Sequence, residues 1–302
     1  MRYKISSKNK IDYPKLQKLF NSHKNIYKFL KKKTNMSNEK IVNIVFDIQT
    51  KSYFSIYRKN IKKIDYIVSP IIKILKENFP KSKSLMDCGC GELIKTSFLF
   101  KHLTYIKNFY ANDISLNRLF LGKKFIKKIG IKRKINYFCS SMKNLPLKNN
   151  SIDVIFTSHA IEPNKSYDAE IIIRELFRVC NHGLCLHESH FQSADRNQKK
   201  RMNKYNYAKN IEKTLKKLNC RFKIIKLNNH HNNLNRASLF IVKKNKSSYK
   251  KNSSKPYIDV YSKDRLCNLK NFLYSKKSKK LYPVFDNIPI FNNTDLYLPF
   301  EK

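Results

Sequence analysis

Two stretches of this chain hold residues whose types and spacing suit chemistry. They are Asp87-Cys88-Gly89-Cys90-Gly91-Glu92 and Thr157-Ser158-His159-Ala160-Ile161-Glu162. In the first, the apolar run from Ser84 ends in an acid and two glycines follow at alternate positions. A helical pattern over 94–103 comes next. The segment reads as strand, tight turn and helix start, an arrangement that lets a nucleotide-like ligand approach bare backbone. A Cβ in that turn would collide with the ligand or forbid the turn, and two of the chain's five glycines sit there. Asp113 ends the next short apolar run, about the expected distance downstream for a carboxylate that accepts hydrogen bonds from ribose hydroxyls. Asp113 or Ser115 also suits the N-cap of a helix over 116–129, and both roles can hold with different residues in each.

The elements that must position these residues alternate in type. Strands are expected over 84–88, 109–115, 135–139, 151–159 and 183–187, with helices over 94–103, 116–129 and 168–179 between them. The run Ile152-Asp153-Val154-Ile155-Phe156 is apolar enough for a buried parallel strand. This alternation predicts an α/β fold, a Rossmann-like doubly wound sheet. Thr157, Ser158, His159 and Glu162 then leave the fourth strand at its C-terminal end, where open α/β sheets put their ligands. His159 is the candidate general base, with Glu188 or His190 beyond the fifth strand as second choice. A packing role fits His159 as well.

Four motifs in order resemble the class I S-adenosylmethionine-dependent methyltransferases, over about residues 81–190. Asp87-Cys88-Gly89-Cys90-Gly91 is similar to that family's glycine motif, and Asp113 to the acid ending its second strand. Asn144-Leu145-Pro146-Leu147 with the strand from Ser151 is similar to its fourth motif, and Arg174 to Val179 before Gly183 to its fifth. The resemblance implies that Asp87, Gly89, Gly91 and Asp113 hold S-adenosyl-L-methionine, with Met142 against the adenine and Thr157 and Ser141 among the cofactor contacts. It also implies seven strands, the last two (220–227 and 237–242) an antiparallel pair at the sheet edge. The chain departs from the family pattern at three places. Leu93 stands where a third glycine is expected, Ser141 where an acid holds the adenine amino group, and Pro163 where a His often follows the Glu.

Outside that span the pattern changes. Residues 1–80 read as N-terminal helices, one or two amphipathic helices within 1–40 and another over 61–79 ended by Pro80. In the resembled family this segment often forms a lid, for which Tyr53 and Tyr57 are candidates. Residues 81–245 form the Rossmann-like domain and 246–256 a Lys/Ser/Asn-rich linker. Residues 257–302 form a small β-rich module with two short strands around a turn near Asp286. Tyr282-Pro283-Val284-Phe285-Asp286-Asn287-Ile288-Pro289 resembles the end of the small β-rich proteins that partner methyltransferases. Asn287 replaces the usual Gly, the next best residue for positive φ. That family's zinc-ligand cysteine pairs are absent, so the resemblance carries the fold without the metal.

Composition sets bounds. The chain has 302 residues and seven scattered cysteines with no C-x-x-C pair, a reduced, cytoplasmic pattern with neither a disulfide frame nor a zinc site. The pair His230-His231 lacks acid or Cys spacing for a metal. No apolar run reaches ~18 residues, so no membrane span is expected. The net charge of +43 predicts attraction to polyanions, nucleic acid among them, although coding bias toward Lys contributes. The lysines are spread along the chain, as on a solvated basic surface.

Taken together, the sequence predicts a cytoplasmic methyltransferase acting in line on an O or N acceptor of a small molecule or sugar/glycan precursor. Its expected catalytic residues are His159, Glu162 and Glu188, with no metal. Thr157-Ser158-His159-Ala160 is not the Asn/Asp-Pro-Pro-aromatic loop of enzymes that methylate flipped bases. An RNA methyltransferase, or a non-catalytic protein on the same fold, are the alternatives.

Overall fold

The computed structural model describes residues 11–51, 54, 60–230, 233–244 and 257–292. Tyr53, Tyr57, His231 and the whole of the expected linker lie outside them. The described chain is a mixed α/β fold: a seven-stranded sheet between helices, with a four-stranded antiparallel sheet at one edge.

The large sheet contains β1 (Ser84–Cys88), β2 (Asn108–Asp113), β3 (Ile135–Cys139), β4 (Ile152–Ser158), β5 (Cys180–Glu188), β6 (Arg221–Lys226) and β7 (Ser238–Lys243). Its order is β3-β2-β1-β4-β5-β7-β6. The β1–β2, β2–β3, β1–β4 and β4–β5 pairs are parallel, whereas β7 runs antiparallel to both β5 and β6. Every residue of β1 is buried, as befits a central parallel strand covered on both faces. The order reverses between β1 and β4, so a crevice opens at the C-terminal ends of those two strands.

Helices α1 (Tyr13–Asn21), α2 (Ile26–Lys33), α3 (Asn38–Ile48) and α4 (Ile61–Asn78) precede the sheet. The first three share a small core of their own, with Leu16, Ile26, Leu30, Ile41 and Ile44 buried together. Helix α3 lies mostly beyond the helices expected within 1–40. Its start is set by Ser37, whose hydroxyl accepts the Lys40 amide. Helix α4 turns Ile64, Ile67, Val68, Ile71, Ile72 and Leu75 inward. It continues through Pro70, which has no N–H to give the Tyr66 carbonyl. Asn229 Nδ2 donates to that carbonyl instead, at 2.6 Å.

Helices α5 (Ile94–His102), α6 (Leu116–Lys128) and α7 (Ser166–Val179) are the crossovers. Two further helices, α8 (Arg196–Tyr205) and α9 (Ile211–Lys217), lie between β5 and β6. Helix α8 falls where the sequence reads only as polar. It is capped by Asp195, which accepts the Gln198 amide, and buries Gln198 and Met202.

The C-terminal sheet has four strands where two were expected: β8 (Cys267–Leu269), β9 (Phe272–Tyr274), β10 (Leu281–Phe285) and β11 (Ile288–Pro289). Asp286 and Asn287 both take positive φ (47° and 59°), the two-residue turn that suits the twist of a hairpin. The module is sewn onto the outer edge of β3. Ile290 bridges Cys139 in parallel, and the Phe291 amide donates to the Cys139 carbonyl at 2.7 Å. Tyr257 packs edge-on against Phe138, and Val260, Tyr282 and Phe291 belong to the same apolar core as β4 and β5. The edge strand is thereby covered. No helix among the described residues is long and apolar enough to cross a membrane.

Candidate functional site

A cavity of about 360 Å³ occupies the crevice above β1 and β4. Its floor is the turn after β1. The Gly89 and Cys90 amides both donate to the Asn112 carbonyl (2.8 and 2.9 Å), and the Gly91 amide donates to Asp113 Oδ2 at 2.7 Å. Asp113 Oδ1 takes the Ser115 amide at 2.9 Å, while the Ser115 hydroxyl caps α6. Of the two candidates for the N-cap, Asp113 and Ser115, the structure gives that role to Ser115.

The glycines answer to neighbours within the chain. A Cβ on Gly89 would strike that of Ala160, and one on Gly91 would strike the Arg118 guanidinium. Both have positive φ (77° and 56°). Leu93, where a third glycine was expected, packs against Gly122 across a helix interface. Leu93 takes the left-handed conformation itself (φ 60°) and is wholly buried. Its room comes from Gly122 of α6, where a Cβ would lie 2.8 Å from Leu93 Cδ1.

Asp87, the last but one residue of β1, lines the cavity with one oxygen unpaired. Its Oδ2 accepts the Thr96 hydroxyl at 2.5 Å, and its buried Oδ1 has no partner. Burial pushes its pKa up to about 7, against the pull of Thr96 and Lys95. Lys95 lines the cavity and donates to Ser158 Oγ at 2.9 Å. An ammonium only donates, so the Ser158 proton is directed at His187 Nδ1, 2.9 Å away. Burial first, then the charges of His159 and Lys95, hold His187 neutral. Burial lowers the Lys95 pKa, and the carboxylates Glu162, Asp87 and Glu188 oppose this.

His159 follows β4 with φ 54°, a conformation that costs a non-glycine residue about 1–3 kcal/mol. The strain points its ring into the cavity, where Nδ1 lies 3.0 Å from Glu162 Oε1. Glu162 also accepts from Asn235 Nδ2 (3.1 Å), the Ser189 amide (3.0 Å) and the Ser189 hydroxyl. Burial alone would raise the Glu162 pKa, but His159, Ser189 and Asn235 outweigh it and hold the group ionised. An ionised Glu162 accepts only, so Nδ1 carries the proton and Nε2 is the basic nitrogen.

Several expected site residues fall elsewhere. Glu188 is buried outside the cavity lining. It accepts the Thr157 hydroxyl (2.7 Å) and the Ala160, Ile161 and Glu162 amides (3.0–3.2 Å), so it folds the loop that carries His159 and does not meet a ligand. Thr157 is likewise committed to Glu188 and does not line the cavity. His190 is held between Ser193 and Glu212 and also lies away from the cavity. Glu162 lines the cavity, but its oxygens are engaged, which makes it a positioning residue. Ser141 and Met142 line the cavity wall. Among the described residues no cluster of three metal-ligating side chains exists.

Other lining residues escaped the sequence reading. Asn38, Glu39, Val42 and Phe46 of α3 close the cavity from above. Two contacts tie this cover down: Ser115 Oγ donates to Asp47 at 2.5 Å, and the Lys51 amide donates to Glu92 at 2.7 Å. Helix α3 lies within the segment before the glycine turn for which a lid was expected; Tyr53 and Tyr57 lie outside the described residues. Lys95, Arg118, Arg201, Tyr207 and Asn235 were also unmarked. Lys95 had a usable signal, a cation in the first turn of the helix after the glycine turn.

This strand order, with ligand-facing loops at the C-terminal ends of β1, β2 and β4, defines a Rossmann-like methyltransferase fold. Residues 86–186 match the family model described as a methyltransferase domain. Among solved structures the chain is similar to magnesium protoporphyrin IX methyltransferase from Synechocystis PCC 6803. With bound SAM that structure gives a TM-score of 0.50 at 14% identity, covering 70% of this chain and 99% of that one. With bound SAH the TM-score is again 0.50 at 14% identity, covering 67% and 99%. It is also similar to a SAM-dependent methyltransferase from Aquifex aeolicus, with a TM-score of 0.47 and 18% identity, covering 60% of this chain and 92% of that chain.

Proposed function

We propose that the protein transfers a methyl group from S-adenosylmethionine to a hydroxyl or amine on a small molecule or sugar/glycan precursor. The observation that carries this reading is the His159–Glu162 pair, set 3.0 Å apart on the cavity wall with Glu162 fully hydrogen-bonded. Methyl transfer to a thioether or to an unprotonated amine needs no base. A hydroxyl or an ammonium does, and an imidazole oriented by a buried carboxylate supplies one.

The cofactor fits the opposite wall. The unpaired Asp87 Oδ1 is a buried acceptor suited to an ammonium, Asp113 borders the glycine turn for ribose hydroxyls, and Ser141 and Met142 flank the adenine position. When bound, S-adenosylmethionine supplies an activated methyl on a sulfonium. The chain's own work is then to align the acceptor, exclude water beneath α3 and take the acceptor's proton on His159 Nε2.

RNA is the second reading, favoured by the charge of +43. Both are tested by incubating the protein and labelled S-adenosylmethionine with a desalted cell extract, split into nuclease-treated and untreated halves. Label surviving nuclease in a small or glycan fraction supports the leading reading, and label lost with nuclease supports RNA. His159→Ala should lower the rate about 10²–10⁴-fold with S-adenosylhomocysteine binding retained. Full activity in that variant would remove His159 from the mechanism.

A further inference from the structure

On the His159 side of the cavity stands a cation with no counter-charge. Arg201 of α8 lines the wall with Tyr207. Its guanidinium lies over the Tyr205 ring at 5.0 Å and the Tyr207 ring at 5.6 Å. One Nη2–H reaches the Tyr207 hydroxyl at 3.4 Å, while the buried Nε has no partner. No carboxylate among the described residues pairs with Arg201. Asp195, on the same helix's cap, is taken by Arg236, and Glu162 is filled by His159, Ser189 and Asn235.

The supporting helix is fixed. Gln198 Nε2 donates to the Arg236 carbonyl at 2.6 Å, and Met202 is buried beside it. Beyond Tyr207, the Ala208 amide donates to the Glu162 carbonyl at 2.9 Å, which joins this wall to the loop carrying the base.

We propose that Arg201, with the Tyr207 hydroxyl, binds an oxyanion on the methyl acceptor, a carboxylate or a phosphate group. This rests on the methyltransferase reading and names the substrate class: an anionic small molecule whose charged end is clamped while its hydroxyl or amine faces His159. A half-buried guanidinium that has no carboxylate beside it is costly, and a ligand oxyanion entering the cavity supplies the missing counter-charge. The planar guanidinium offers a fork of donors matched to carboxylate and phosphate oxygens, and the two tyrosine rings hold its plane.

The test uses the full chain saturated with S-adenosylhomocysteine, at constant ionic strength, with chloride exchanged stepwise for inorganic phosphate or for acetate. The melting temperature is read for wild type, Arg201→Gln, Arg201→Lys and, as a surface control, Lys200→Gln. A saturable rise is expected in wild type and Lys200→Gln. Its midpoint should move to at least about tenfold higher anion concentration in Arg201→Gln, with Arg201→Lys between. A response to phosphate alone assigns a phosphorylated acceptor, and one to acetate alone a carboxylate. Identical midpoints in wild type and Arg201→Gln, or no saturable rise with either anion, would overturn the proposal. The shift produced by S-adenosylhomocysteine itself, measured first in every variant, separates the two failures. Its absence in wild type counts against the methyltransferase reading, and its presence in Arg201→Gln shows that the variant is folded.

Discussion

Asp87→Asn should make the protein more stable and worse at holding its cofactor. The Asp87 carboxyl is buried, has one partner for two oxygens, and has its pKa pushed from 3.8 to about 7. The folded chain therefore keeps a proton that the unfolded chain releases near 3.8. Between those values the native state binds more protons, so stability falls as pH rises through the window and is level above it. A shift of about three units corresponds to about 4 kcal/mol as a ceiling, at 1.36 kcal/mol per unit. Relaxation and water entry would reduce that to about 2 kcal/mol in practice. Asparagine keeps an acceptor for the Thr96 hydroxyl and carries no charge to desolvate. Urea unfolding at pH 4 and pH 8 should give near-equal stabilities at the lower pH and a variant about 2–4 kcal/mol more stable at the higher. Calorimetry at pH 8 should show S-adenosylhomocysteine binding weakened at least about tenfold, through loss of the acceptor for its ammonium. A variant no more stable than wild type at pH 8, or one with undiminished binding, would refute the reasoning.

Three further outcomes follow from the packing. Gly122→Ala should cost about 1–3 kcal/mol by driving a methyl into Leu93, and Leu93→Gly about 1–3 kcal/mol net of the relieved left-handed strain. The double variant should lose less than the sum, and strict additivity in a double-mutant cycle would deny the steric coupling of Leu93 and Gly122. Glu188→Gln should lower stability by about 1–3 kcal/mol, because its amide must face an N–H that now meets a carboxylate. Unchanged unfolding would sink its anchoring role. Phe291→Ala, which strips contacts to Tyr257 and Tyr282, should cost about 3–5 kcal/mol and expose the β3 edge. Light scattering should then rise with protein concentration, and a monomer of wild-type stability would contradict the docking.

Much of the fold could be read from the chain. The buried strands are rich in apolar residues, and Asp87, Gly89, Gly91 and Asp113 recur at the spacing a strand–turn–helix demands, because local sterics fix that geometry. His159 could be marked because the end of β4 faces the crevice in any sheet of this kind. Helix α8 could not, since Arg196 to Tyr205 has no apolar period and is stabilised by the Asp195 cap, Gln198 and Met202 alone. The division of labour among the carboxylates was equally hidden. Glu162 and Glu188 are the same residue type near the ends of adjacent strands. Only the folded backbone decides that one receives an imidazole and the other three amides. Arg201 is one of 64 basic residues, and nothing in its neighbours' identities distinguishes it. By itself the sequence determined the methyltransferase fold and the location of its glycine turn, which follow from short-range patterns. The tertiary structure decided which side chains face the cavity, because that depends on partners far apart in the chain, such as Asn235 on Glu162 and Gly122 against Leu93.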